Sequence, residues 1–217
     1  LIFLQINNMK KAIAFIITLL TAISICTSAF AIDRNSEIAI MDFGTRPGAT
    51  EAEISLNNAE YVTSEYIIDR LVDDKCFLVK EKDFVMGQVN DAAISTVGII
   101  DPDTAKKIGA LLKVKYILCG NITNVSLSEA GGSLGGAGLT KNTVQAHIIG
   151  RVMDTDTGNI LYMTKGTGKS ASTYTKVKGV VGGTIRFGTV QVTQDSVHNA
   201  IQKAAYAMVD ELNKKVI

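Results

Sequence analysis

Gly166-Thr167-Gly168-Lys169-Ser170 is the run that looks most like chemistry, because it matches the closing half of a phosphate-cradling loop. The complete loop needs a glycine five positions before Gly168, where Met163 stands. It also needs a helix to follow, so that amides and the helix dipole meet the phosphate. The residues that follow, Ala171-Ser172-Thr173-Tyr174-Thr175, have strand composition, so nucleotide binding is not expected. Asp154-x-Asp156-x-Gly158 resembles the start of a calcium loop, but Lys165 occupies the place of the bidentate glutamate. Asp and Gly between two alternating runs read better as a tight turn. The two histidines, His147 and His198, have no Cys or carboxylate at metal-ligand spacing. Nothing separates one Ser from the others as a nucleophile. The expectation is a protein that is not an enzyme, with no catalytic residue, no cofactor and no metal.

Composition sets the class. With 47% hydrophobic and 20% charged residues the 217-residue chain suits one packed domain rather than disorder. A formal charge of +1 leaves no electrostatic footprint for nucleic acid, so none is expected as a partner. The cluster Lys165, Lys169, Lys176 and Lys178 reads as a solvated or lumen-facing surface, since Gly, Ser and Thr flank it.

The N-terminal stretch reads as an export signal. Residues 1–8 look like sequence upstream of a start at Met9. Lys10 and Lys11 precede an uncharged run over 12–32, which contains Ala29-Phe30-Ala31, the small-x-small pattern of a signal-peptidase site. Cleavage after Ala31, with Ala29 and Ala31 as the small residues of the site, would place the mature chain, residues 32–217, in the periplasm or outer membrane of a double-membraned bacterium. An uncleaved anchor is one alternative, since the run is long enough to span a bilayer. Lipidation of Cys26 is another, although Ile25 before it is bulky. Cys76 and Cys119 stay in the mature chain. Export permits a bridge. Their apolar neighbours Phe77 and Leu118 favour two buried thiols.

The remaining elements follow from periodicity. Residues 37–43 read as a strand and 44–55 as a polar loop. Ser55 can cap a helix running to about Asp73, with Ala59, Val62, Tyr66, Ile67 or Ile68, and Leu71 as its apolar stripe. Residues 76–80 read as a short strand, and 81–89 as a short helix with Phe84, Val85 and Val89 inward. Asp101-Pro102-Asp103 is a helix start: a capping side chain, Pro at the first helical position, and acid in the first turn. Ala105, Ile108 and Leu111 or Leu112 would be its inner face. Strands are expected at 116–122, 144–153 and from Ile160, with a glycine-rich excursion over 131–138. A last amphipathic helix spans about 194–215, with Val197, Ile201, Ala204 or Ala205, Met208 and Leu212 inward. The fold class is α/β (α+β): a mixed sheet flanked by helices.

Two excursions leave that sheet. Residues 126–143 could form a short β-hairpin and residues 165–191 a longer one, either of which could insert in the outer membrane. In the second, Ala171, Thr173, Thr175 and Val177 alternate with Ser172, Tyr174, Lys176 and Lys178, suiting a lipid face and a watery face. Ile185 and Phe187 share a face on the return leg. One chain with two hairpins cannot close a barrel, so insertion demands a ring of copies.

The chain resembles the curli secretion channel (CsgG) family over most of residues 38–216. The resemblance is clearest in 111–122, in the glycine-rich excursion, and in Arg151-Val152-Met153-Asp154-Thr155-Asp156-Thr157-Gly158-Asn159-Ile160. Glu81 fits a family glutamate between the second strand and second helix. The resemblance implies a homo-oligomeric ring whose hairpins build one large outer-membrane β-barrel, through which unfolded curli-type subunits are secreted. It also implies a constriction at the loop before the first helix. Family channels line it with Tyr, Asn and Phe, which residues 44–55 lack; Thr45, Arg46 and Glu51 are the candidates in this chain. The alternative is a soluble periplasmic binding or scaffold module of the same fold, similar to activators of penicillin-binding proteins.

Overall fold

A computed structural model of the protein describes residues 32–50, 56–134, 137–177 and 194–216. Side chains within 132–140 and 173–177 are not described. Asp33–Val216 form one unit of the chain. The expected signal segment, with Cys26, Ala29 and Ala31, lies outside the described residues, as do Ser55 and residues 178–193.

In chain order the elements of this unit are β1 (Glu37–Ile40), β2 (Gly44–Thr45), α1 (Ala59–Asp74), β3 (Leu78–Val79), α2 (Lys82–Asp91), α3 (Pro102–Leu112), β4 (Tyr116–Leu134), β5 (Ala137–Asp154), β6 (Ile160–Val177) and α4 (Gln194–Asn213). The sheet runs β3-β1-β4-β5-β6, and β2 also pairs with β4. β1 lies parallel to β3 and β4, whereas β4, β5 and β6 are antiparallel. This is the expected mixed sheet with helices on it.

β1 is an inner strand between β3 and β4, and Ile38, Ala39 and Ile40 are all buried, as a strand covered on both faces requires. It is shorter than the 37–43 read from sequence. After Met41, whose amide still donates to Leu118, Asp42 is drawn to polar partners on α1 and α2, and pairing resumes only at Gly44. On one side of the sheet Ala39, Met41, Ile117, Cys119 and Met153 pack with Val85 and Val89 of α2 and Ala105, Ile108 and Leu112 of α3. Of the pair Leu111/Leu112, Leu112 is the buried one. On the other side α4 lies across β5 and β6, burying Val197, Ile201, Ala204, Ala205, Met208 and Leu212. α1 runs beside α4, tied by Arg70 to Asp210 at 2.7 Å.

Two helices depart from their apolar stripes. On α1 the buried positions are Ala59, Thr63, Ser64, Ile67 and Leu71, while Val62 and Tyr66 are half-buried. Thr63 is tolerated inside because its hydroxyl donates to the Ala59 carbonyl at 2.6 Å. The first described turn of α1 starts at Asn58 in the left-handed region, with no side-chain cap. On α2, Phe84 is 52% exposed and Lys82 is buried. Positions 82, 85 and 89 share one helical face, and 84 falls outside it.

The pattern reads strands at 116–122 and 144–153 with a glycine-rich excursion between them that could form a hairpin over 126–143. In the structure that excursion is continuous with the flanking strands: β4 runs from Tyr116 through the glycines to Leu134, with one irregularity at Ile122/Asn124, and β5 starts at Ala137. Cys76 is buried just before β3 rather than in a strand, and both Cys76 and Cys119 are free.

Candidate functional site

The β4–β5 ladder continues for nine residue pairs beyond Val125, from Ser126 with Gln145 to Leu134 with Ala137, and Val144 and Asn142 at its lower end are still buried. At about 3.4 Å per residue that is a ribbon of about 30 Å. Ser128, Glu129, Ala130, Gly131 and Lys141 on it are exposed. β6 follows β5 to the same height, pairing Ala171 with Thr143, Thr173 with Lys141, Thr175 with Leu139 and Val177 with Ala137. Four of the expected hairpin residues thus sit at alternate positions of one strand. Directly paired residues share a face, so Lys141 stands at the level of Thr173 on that face. Ile185 and Phe187 lie outside the described residues.

Glycines make the base of this ribbon possible. A side chain on Gly120 would collide with the Ile149 carbonyl and with Phe43, so the segment between β1 and β2 and strand β5 both close onto it. A side chain on Gly166 would meet the Ala204 carbonyl, and one on Gly168 the Ala200 carbonyl. The phosphate-loop-like run is therefore the seat of α4 on β6. Its glycines let a helix backbone lie against a strand backbone.

The loop after β1 holds the other candidates. Thr45 is half-buried in β2 and its amide donates to Glu60 Oε1 at 3.1 Å. Arg46 is exposed, with its amide on the Ile122 carbonyl. The Val125 amide reaches the Ala49 carbonyl, so the loop runs along β4 to the foot of the ribbon. Glu51 lies outside the described residues.

The chain before this loop is tied to the helix after it by Lys82, a residue that sequence reasoning misses. The Nζ of Lys82 donates to Ser64 Oγ at 2.6 Å and the Tyr61 carbonyl at 3.0 Å. It pairs with Asp42 at 3.1 Å and Glu65 at 3.3 Å, and stands 3.4 Å from the centre of the Tyr61 ring. Ser64 donates in turn to Asp42. Asp42 precedes the loop, Tyr61, Ser64 and Glu65 follow it, and Lys82 comes from α2. Glu65, then burial and the carboxylates of Asp83 and Asp42, raise the Tyr61 hydroxyl pKa above its ordinary value. With every donor of Lys82 engaged, the cluster is built to hold rather than to react. Its one signal in the sequence is a lysine at the apolar-face spacing set by Val85 and Val89.

The other motif residues have structural work. Glu81 caps α2, accepting from the Asp83 and Phe84 amides. Asp101 caps α3 in the same way, and the Thr104 hydroxyl and amide, then the Asp103 amide, lower its carboxyl pKa. Asp154 accepts from the amide and hydroxyl of Thr157, and Gly158 takes φ +75°, so the calcium-like run is a turn. The ring nitrogens of His147 are hydrogen-bonded to Gln145 and Thr167, and His198 is half-buried on α4. Among the described residues no group of three or more His, Cys, Asp or Glu is placed to hold a metal. No described helix is long and apolar enough to cross a membrane, which bears only on helices.

Fold and site together define a mixed-sheet α+β domain with a projecting β-ribbon and a loop pinned at the ribbon's foot. The sequence profile of the curli production assembly/transport component CsgG family matches residues 26–217, so the chain belongs to the CsgG family. No curated protein matches the chain in sequence. Solved structures similar to it include the LpoB C-terminal domain from Salmonella enterica, at 16% identity and TM-score 0.43, covering 66% of this chain and 90% of that one. The hypothetical protein CT253 from Chlamydia trachomatis is similar at 15% identity and TM-score 0.48, over 83% of this chain and 97% of that one. The PelC dodecamer from Paraburkholderia phytofirmans is similar at 12% identity and TM-score 0.38, over 88% and 95%.

Proposed function

We propose that the protein is an exported, self-assembling transport component of the outer membrane. A ring of copies closes one β-barrel from hairpins 126–143 and 165–191 and passes unfolded curli-type subunits. The single observation that carries this reading is the ribbon: nine paired residues from Ser126 to Leu134 have the length of the about 9–11 residues of a barrel strand. Family membership supports the transport theme. The loop with Thr45, Arg46 and Glu51 is the candidate constriction; its described part reaches the foot of the ribbon through Ala49, and Lys82 ties the segments before and after it. No catalytic, cofactor or metal role is assigned. The test is to express the chain in a double-membraned bacterium, extract membranes in detergent and image the material. Rings with a conducting pore are expected; a strictly soluble monomer would sink the reading.

One observation favours a second reading, a soluble envelope scaffold of the same fold. The ribbon carries a charge on each face, Glu129 on one and Lys141 on the other, both exposed. A charge on a lipid face is costly near the bilayer midplane. Under this reading the mature chain stays out of membranes and the ribbon docks a periplasmic protein.

A further inference from the structure

We infer that the open face of β5 and β6, opposite α4, is a binding surface for an extended acidic polypeptide. β5 alternates cleanly: Asn142, Val144, Ala146, Ile148, Gly150 and Val152 are buried, and the residues between them are half-buried or exposed. The packing of α2 and α3 reaches β5 only at Met153, so no described helix covers the middle of the open side.

That side is cationic. It carries Lys141 and Arg151 from β5 and Lys165 and Lys169 from β6, and among the described residues none of the four forms an ion pair. Its described residues include no carboxylate. Glu129, the acid on β4, pairs with Asn142 and so lies on the other face, and Asp154 is spent on the turn. Four unpaired cations on one open face attract a polyanion.

The rest of the face selects which polyanion. Ile149 and Met163 stand beside Arg151 and Lys165, and Met163 is 50% exposed. Gln145, His147 and Thr167 add hydrogen-bonding groups between the charges. Apolar and amide-like groups interleaved with cations suit a peptide. Single-stranded nucleic acid would call for stacking aromatics, and a lipid surface for a protruding apolar edge. Lys165 and Lys169 are four residues apart, about 13 Å along the strand. An extended chain crossing the face with an acid at about every fourth residue would meet both. This rests on the scaffold reading rather than the transport reading, since Lys141, Lys165 and Lys169 share the face of Ala171 and Thr173 that a barrel would turn to lipid.

The test uses the purified protein in its native oligomeric form and fluorescein-labelled poly-L-glutamate, followed by anisotropy at low salt. Binding is expected, weakened by added salt and at least tenfold by Lys165→Glu/Lys169→Glu. Lys165→Gln/Lys169→Gln should lose less. Lys106→Glu/Lys107→Glu, exposed on α3, should bind like the parent. Equal binding by all variants overturns the surface. So does binding of phosphatidylglycerol vesicles or a single-stranded oligonucleotide in place of poly-glutamate. A soluble protein that binds no poly-glutamate refutes this surface alone, whereas rings extracted from membranes refute the scaffold reading.

Discussion

Lys82→Met tests whether the lysine holds the loop after β1. The substitution keeps the length of the stem and removes the ammonium. Breaking a buried ion pair by deleting one partner costs about 3–5 kcal/mol when the orphaned charge stays dry. In this cluster the Asp42 and Glu65 side chains are 18% and 38% exposed, so water solvates much of what is left. The Tyr61 carbonyl also loses a charged donor, worth about 1.5–3 kcal/mol in a dry site. With that solvation the expected loss is about 2–3 kcal/mol. A domain of this size shifts about 2–4 °C per kcal/mol, so the unfolding midpoint should fall by about 5–10 °C. Circular dichroism during a thermal ramp reads it. Lys82→Met/Asp42→Asn should recover about 1 kcal/mol, because the orphaned carboxylate is gone. Amide exchange should quicken at Gly44 and Thr45 more than in α4. A Lys82→Met midpoint within about 0.5 kcal/mol of the parent, with unchanged exchange in the loop, would refute the reasoning.

The glycines under α4 give a contrast within one experiment. Gly166→Ala and Gly168→Ala each push a methyl into a carbonyl of α4 and should cost about 1–3 kcal/mol in a denaturant titration, whereas Gly87→Ala, in open space on α2, should gain about 0.5–1 kcal/mol. Asp101 has its carboxyl pKa lowered by the fold, so its support of α3 is complete above the ordinary carboxylate range near pH 4. That support is lost as pH falls through the lowered value; Asp101→Asn, still able to cap, should flatten this acid limb of the stability curve. Burial raises the Cys119 thiol pKa, so a thiol reagent should label it only on unfolding. Above about pH 8.5 the unfolded thiol ionises first and stability should decline, a slope that Cys119→Ala removes.

Much of the architecture could be read from the chain because local chemistry settles it. Asp101 and Pro102 start α3 wherever they stand, and Asp154 with Gly158 makes a turn between any two alternating strands. The stripe of α4 from Val197 to Leu212 is periodic enough to need no partner for its recognition. Tertiary structure decided the rest. Glycine-rich residues up to Leu134 have weak strand propensity of their own, yet they extend β4 because β5 pairs with them residue for residue. The glycines at 166 and 168 acquire meaning only when a helix more than 25 positions later lies on them. A lysine on the apolar face of α2 looks like an error until Asp42, Ser64 and Glu65 arrive from 17 to 40 positions away to satisfy it. Periodicity reports which face of one element is buried. What that face is buried against, and whether a charge there finds a partner, is a property of contacts between distant segments, and only the folded chain contains those.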